Sequence, residues 1–170
     1  MAFAAMPMLA LTPNGEGVYE ISNAAELEEF AAIVNGGENT ANAVLTADID
    51  MDNVTHTPIG NSKAVAYKGT FDGRFHTISS LNMEVEGGTN LALFGYAGVG
   101  AKICNTIIDD LSTFFGEDKC AAFVGQCTGT TIRDSVLTNS ERELYLCRQK
   151  ESWVITSLCP MSIQRHGRVT

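Results

Sequence analysis

The stretch from residue 93 to 109, LFGYAGVGAKICNTIID, recurs in degenerate form from 123 to 138 as FVGQCTGTTIRDSVLT. Gly95 falls over Gly125 at a spacing of 30. Gly100, Ile103, Asn105 and Ile107 fall over Gly129, Ile132, Asp134 and Val136 at a spacing of 29. The earlier HTISSLNM fits the same frame, with Ile78 one unit before Ile103 at a spacing of 25. Each unit thus has a turn followed by I-x-[SND]. Self-similarity at this period is the signature of stacked repeats, in which each unit buries an apolar face only against its neighbours.

These observations predict an all-β solenoid, a right-handed parallel β-helix with an N-terminal capping α-helix and an irregular C-terminal tail. In such a fold inward residues recur coil after coil. Ile78, Ile103 and Ile132 are expected to form one buried column, with Leu81 at another position of the same core. Glycine recurs at corners because it accepts positive φ and close backbone approach.

The helix is predicted within ISNAAELEEFAAIVNGG. Asn23 is its cap, with Glu26 three residues on as in a capping box. Leu27, Phe30, Ala31 and Val34 form one apolar stripe, and Gly36–Gly37 end it. The stripe is expected to lie over the first coil and shield an open sheet edge. Past the helix the period drops to two. In VLTADIDMD, Leu45, Ala47, Ile49 and Met51 point one way and Thr46, Asp48, Asp50 and Asp52 the other.

Charge divides the chain. Residues 1–138 hold six Lys/Arg and 17 Asp/Glu, a net of −11, whereas residues 139–170 hold five and three, a net of +2. An acidic protein repels phosphate backbones, which argues against nucleic acid as a partner. Five cysteines without a C-x-x-C pair give no zinc pattern, and Cys104, Cys120 and Cys127 are expected as small buried thiols. Residues 1–17 read as a leader, either the remnant of an export signal or an ordinary apolar start. No other stretch is long enough to span a membrane. The expected organisation is therefore a leader at 1–17, a β-helix with its helical cap at 18–138 and a non-repeat tail at 139–170. The tail lacks a glycine corner and a further I-x-[ND]. It is either a C-terminal cap or an interrupted repeat. In the second case the last coil is left to associate with another copy through its exposed edge.

FDGRFHTISSLNM, LALFGYAGVGAKICNTII and AFVGQCTGTTIRDSVL together resemble the GLUG-motif repeats of bacterial surface and secreted proteins. The segment from YEISNAAELEEFAAIVNGG through YKGTFDGRFHTI is similar to the region that commonly precedes such repeats. The resemblance spans about residues 18–138. It implies an exported, extracellular or cell-surface protein with an adhesive or spacer role, and glycans or proteins of a host or cell surface as partners. It assigns no catalytic residue and no cofactor.

The residues that tempt a chemical reading are few. Asp72, Arg74 and His76 surround Gly73 and would share a side if that run were extended. They are the basis of the alternative reading, a fragment of a carbohydrate-active enzyme resembling the polysaccharide lyases. The structural reading makes Asp72–Gly73 a turn. Asp48, Asp50 and Asp52 could bind a divalent cation weakly, but Asn53 and Ile59 stand where an EF-hand needs Gly and Glu, so a solvated strand face is the expectation. Asp109–Asp110 reads as a turn pair and His56 as a packed corner. GYAGVG lacks the following helix a phosphate loop requires.

Overall fold

The computed structural model describes residues 10–52, 54–109, 113–118 and 121–138. Thirteen strands and one α-helix are found there. The helix α1, Ala24–Asn35, follows β1, Val18–Ile21. Asn23 caps it, its side chain accepting from the Glu26 amide at 3.0 Å. Glu26 in turn accepts from the Ser22 amide and hydroxyl at 2.7 and 2.8 Å, one residue earlier than an ideal capping box. Leu27, Phe30, Ala31 and Val34 are buried, as the stripe predicts.

The other strands are β2 (Asn42–Leu45), β3 (Ile49–Asp50), β4 (Thr70–Asp72), β5 (Thr77–Ser79), β6 (Asn82–Thr89), β7 (Phe94–Ala97), β8 (Lys102–Cys104), β9 (Ile107–Asp109), β10 (Thr113–Asp118), β11 (Val124–Cys127), β12 (Thr131–Arg133) and β13 (Val136–Thr138). All pairings between them are parallel. The sheets run β1-β2-β4-β8-β12, β13-β9-β5-β3, β10-β6 and β11-β7. From β2 onward, strands adjacent in sequence belong to different sheets, and from β4 onward the chain revisits the sheets in the same order. Most strands are only three or four residues long, too short to persist unpaired, so tier-on-tier pairing is what fixes them.

Two inward columns dominate the core. Ala43, Phe71, Ile103 and Ile132 are register partners in the first sheet. Ile49, Ile78, Ile108 and Leu137 are partners in the second. A third line, Ile59–Phe94–Val124, runs along the face of β7 and β11. Phe30 reaches Tyr19, Tyr67 and Phe71 at ring distances of 5.6, 6.2 and 6.3 Å, bringing the helix onto the small residue Ala43's end of the first column.

The column expected from the sequence is therefore corrected. Ile103 does stack on Ile132, but Ile78 belongs to the other column, beneath Ile108. Ile132 is also half-buried rather than buried. The cause is local. Ser80, Asn105 and Asp134 all have positive φ, at 54°, 52° and 52°. I-x-[SND] therefore marks a strand followed by a left-handed residue, and in the β4–β5 repeat such residues follow both strands. Matching Ser80 to Asn105 equates different corners. The true step from Phe71 to Ile103 is 32 residues and from Ile78 to Ile108 is 30, because the first tier carries two extra residues between its strands. Those are Arg74 and Phe75, with φ of 47° and 63°. Gly100 and Gly129, at φ 92° and 62°, do occupy the matched corner.

Two substitutions separate core from insertion. Ile103→Asp buries an unpaired charge and is expected to lower unfolding stability by about 3 kcal/mol or more. Deleting Arg74 and Phe75 restores the spacing of later tiers and is expected to leave the thermal midpoint unchanged or higher. Thermal melts of both variants check this; a deletion as damaging as Ile103→Asp would contradict the two-residue insertion.

Candidate functional site

The corner between β4 and β5 holds most of the residues singled out for chemistry. Gly73 is needed there by space: a Cβ would lie 2.5 Å from the Asn105 carbonyl oxygen. The Asp72 carboxylate accepts from the Arg74 amide at 2.9 Å and from Asn105 Nδ2 at 2.8 Å. His76 Nδ1 lies 3.1 Å from the Asp48 carboxylate of the preceding tier. So Asp72 is engaged by the following tier, His76 by the preceding one, and Arg74 is exposed. The run is not extended, because Arg74 and Phe75 are left-handed. The geometry does not assemble Asp72, Arg74 and His76 into an acid, a base and a charge neutraliser around one substrate position. It presents Phe75 to solvent instead, 65% exposed.

The acidic strand is likewise taken up by structure. Asp48, Asp50 and Asp52 are exposed, while Ile49 and Met51 are buried. Asp48 also accepts from the Thr77 amide at 2.9 Å. That amide bond, then the bond from His76, hold its carboxyl below the usual range. The Asp50 carboxylate accepts from the Asp52 amide at 3.0 Å. Among the described residues no group of three His, Cys, Asp or Glu is placed to hold a metal ion. Asp109 lies at the end of β9, and Asp110 lies outside the described residues.

The densest electrostatic arrangement joins α1 to the loop after β3. His56 is 1% exposed. Its Nδ1 lies 2.5 Å from Glu28 Oε1 and its Nε2 3.0 Å from the Leu93 carbonyl. Both ring nitrogens face acceptors, and only a doubly protonated ring donates to both. The second Glu28 oxygen accepts from the Thr57 amide at 2.9 Å. Burial acts to raise the Glu28 carboxyl, but the hydrogen bond and charge of His56 and the Thr57 amide outweigh it and hold the group below its ordinary value. Asn35 extends the clamp, donating to the Pro58 carbonyl at 3.1 Å and accepting from the Asn61 amide at 2.9 Å. His56 is thus a packed corner, and its partner Glu28 had no sequence signal, since 28 residues separate them.

Cys104 is a free buried thiol, as expected. Burial pushes it up, away from the thiolate a nucleophile needs. Cys127 corrects the expectation: it is disulfide-bonded. Cys120 lies outside the described residues. Burial also pushes the Tyr67 phenol up, and its hydroxyl donates to the Ala41 carbonyl at 3.0 Å. Among the described residues no helix is long and apolar enough to cross a membrane.

Comparison with known proteins adds one relative. The chain is 32% identical over 146 residues to halomucin of Haloquadratum walsbyi, a match covering 76% of this chain and 2% of halomucin. The chain therefore corresponds to a small fraction of that protein's length. No family model matches the chain. No solved structure matches it.

Two measurements follow from this geometry. The depressed Glu28 carboxyl contributes stability that is fully present above its unfolded value, about 4.3, and is lost as pH falls through the lower folded value. The acid side of a stability–pH curve should therefore be shallower in Glu28→Gln, which at neutral pH should cost about 2 kcal/mol by leaving His56 poorly paired; denaturant melts from pH 3 to 7 test both. Millimolar calcium is expected to leave the thermal midpoint unchanged, and a concentration-dependent rise would reveal a site at Asp48, Asp50 and Asp52.

Proposed function

We propose that the chain is a non-enzymatic module of a right-handed parallel β-helix, part of an exported surface protein with an adhesive or spacer role. The observation that carries this reading is the parallel pairing of tiers 29 to 32 residues apart in sequence. Parallel strands joined by crossovers take the right-handed connection in nearly all proteins, which gives the handedness. The GLUG-like motifs occur within those tiers and support the same assignment.

Three further points support the surface role. The Cys127 disulfide suits an oxidising environment outside the cytosol. Similarity to a small part of halomucin suits a module within a much longer chain, and the relative's name is that of a mucin. The polar groups at the β4–β5 corner are engaged by neighbouring tiers, leaving Phe75 and Arg74 as the exposed contact point. An aromatic face beside a cation is suited to stacking on sugar rings or on side chains of a partner surface. Surface glycans or proteins are therefore the partner class of this reading.

The competing idea is a polysaccharide lyase-like fragment, and one assay separates them. Acidic and neutral polysaccharides incubated with the purified chain should yield no unsaturated product and no new reducing ends. Turnover that disappears in Asp72→Asn or His76→Ala, with thermal melts unchanged, would overturn the non-enzymatic reading.

A further inference from the structure

Positive charge is gathered on one face. Four of the six Lys/Arg in residues 1–138 lie on or beside three neighbouring strands of the first sheet, β4-β8-β12. Lys68 stands two residues before β4 and Arg74 two residues after it, while Lys102 opens β8 and Arg133 closes β12. All four are exposed. Ile103 and Ile132 belong to the inward column, so strand alternation turns Lys102 and Arg133 outward. The nearby acids are engaged: Asp72 accepts from Asn105 Nδ2 at 2.8 Å, and Asp134 pairs with Arg133 at 2.7 Å. Glu20, on β1 at the far edge of this sheet, accepts from Asn14 Nδ2 at 2.9 Å. Four cations against Asp72 and Asp134 leave this face positive within a segment whose net charge is −11.

The second sheet has the opposite sign. Its strands β3, β5, β9 and β13 contain no Lys or Arg. Asp48 and Asp50 are exposed on its outer side, with Asp52 just beyond β3. Asp50 aligns through Ser79 with Asp109. Beside that line runs another outward one, Thr77–Ile107–Val136, in which Val136 is 41% exposed. One molecule thus carries a cationic face and, on another sheet, an acidic face with an apolar line. Two copies at −9 each repel overall. That repulsion is screened beyond about 10 Å in about 0.1 M salt, whereas charges brought into contact are screened much less. Single surface ion pairs contribute little, but whole faces of opposite sign select a partner and fix its orientation.

We infer that the outer face of β4-β8-β12 docks on the outer face of β13-β9-β5-β3 of a second copy, so that molecules associate side by side. The inference rests on the tiered reading proposed above, which puts these strands on two outer faces of one stack. A contact between two different faces leaves one of each unused on the pair, so it extends into an open row unless its rotation closes a ring. Such a row suits a surface coat.

Sedimentation of the full chain in about 0.1 M salt should show a mass that rises with concentration, and in about 1 M salt a monomer. Arg74→Glu with Lys102→Glu reverses the first face, and Asp50→Lys with Asp52→Lys reverses the second. Each double variant alone should associate about tenfold more weakly or worse. Their equimolar mixture should recover association, because each reversed face then meets its complement. Thermal melts confirm that both are folded. A wild-type chain that stays monomeric in both salts would overturn the inference, even if the variants failed to fold. So would association that neither reversal weakens, or a mixture that stays monomeric. Retention of a monomeric wild-type chain on a carboxylated polysaccharide, lost in Arg74→Glu with Lys102→Glu, would assign the cationic face to an anionic glycan instead. Absence of amide protection at β4 and β8 in the wild-type chain would count against the tiered reading itself.

Discussion

Backbone pairing between segments about 30 residues apart is the constraint on which the rest depends. A strand such as β8 or β12 has three residues and cannot hold an extended shape alone. Its amides and carbonyls are satisfied by the strand one tier away, and its inward residue by the same position one tier away. Side-chain identity is then secondary to register. Ala43, Phe71 and Ile103 differ greatly in size yet occupy one line, and Phe30 from the helix packs where that line begins.

This constraint also explains where polar side chains go. Asp48, Asp72 and Asn105 each bond to a residue in an adjacent tier. Asp48 and Asp72 accept from the Thr77 and Arg74 amides, and Asn105 donates to Asp72 across adjacent strands of one sheet. Residues that resemble a catalytic set in one dimension are thereby distributed along the stack in three. The Glu28–His56 pair does comparable work between the helix and the loop that follows β3.

Much of this was legible in the sequence. The helix, its cap, its apolar stripe and the alternation through Asp48, Asp50 and Asp52 were all readable because each rests on contacts within a few residues. The pairing of Ile103 with Ile132 was readable because the last two units differ by no insertion. Ile78 was misplaced because a left-handed corner looks the same after either strand of a tier, and because Arg74 and Phe75 shift the count by two. Glu28 and His56 could not be paired from sequence, since nothing in a helix surface glutamate names a partner in a later loop. The Cys127 bond was hidden for the same reason, as cysteine spacing alone does not state which thiols meet.

The helical clamp gives the stack a direction. Its members, Glu28, Asn35, His56 and Asn61, all precede β4 in the chain, and His56 also bonds the Leu93 carbonyl just before β7. Synthesis delivers the segment before β4 first. The early strands β2 and β3 offer edges on which β4 and β5 pair, and each strand that joins presents another edge. Assembly can then proceed as ordered addition to a growing template, with each new tier searching only against the one just made. On the β-helical reading proposed above, a chain built this way lengthens while the search faced by each added segment remains the same size.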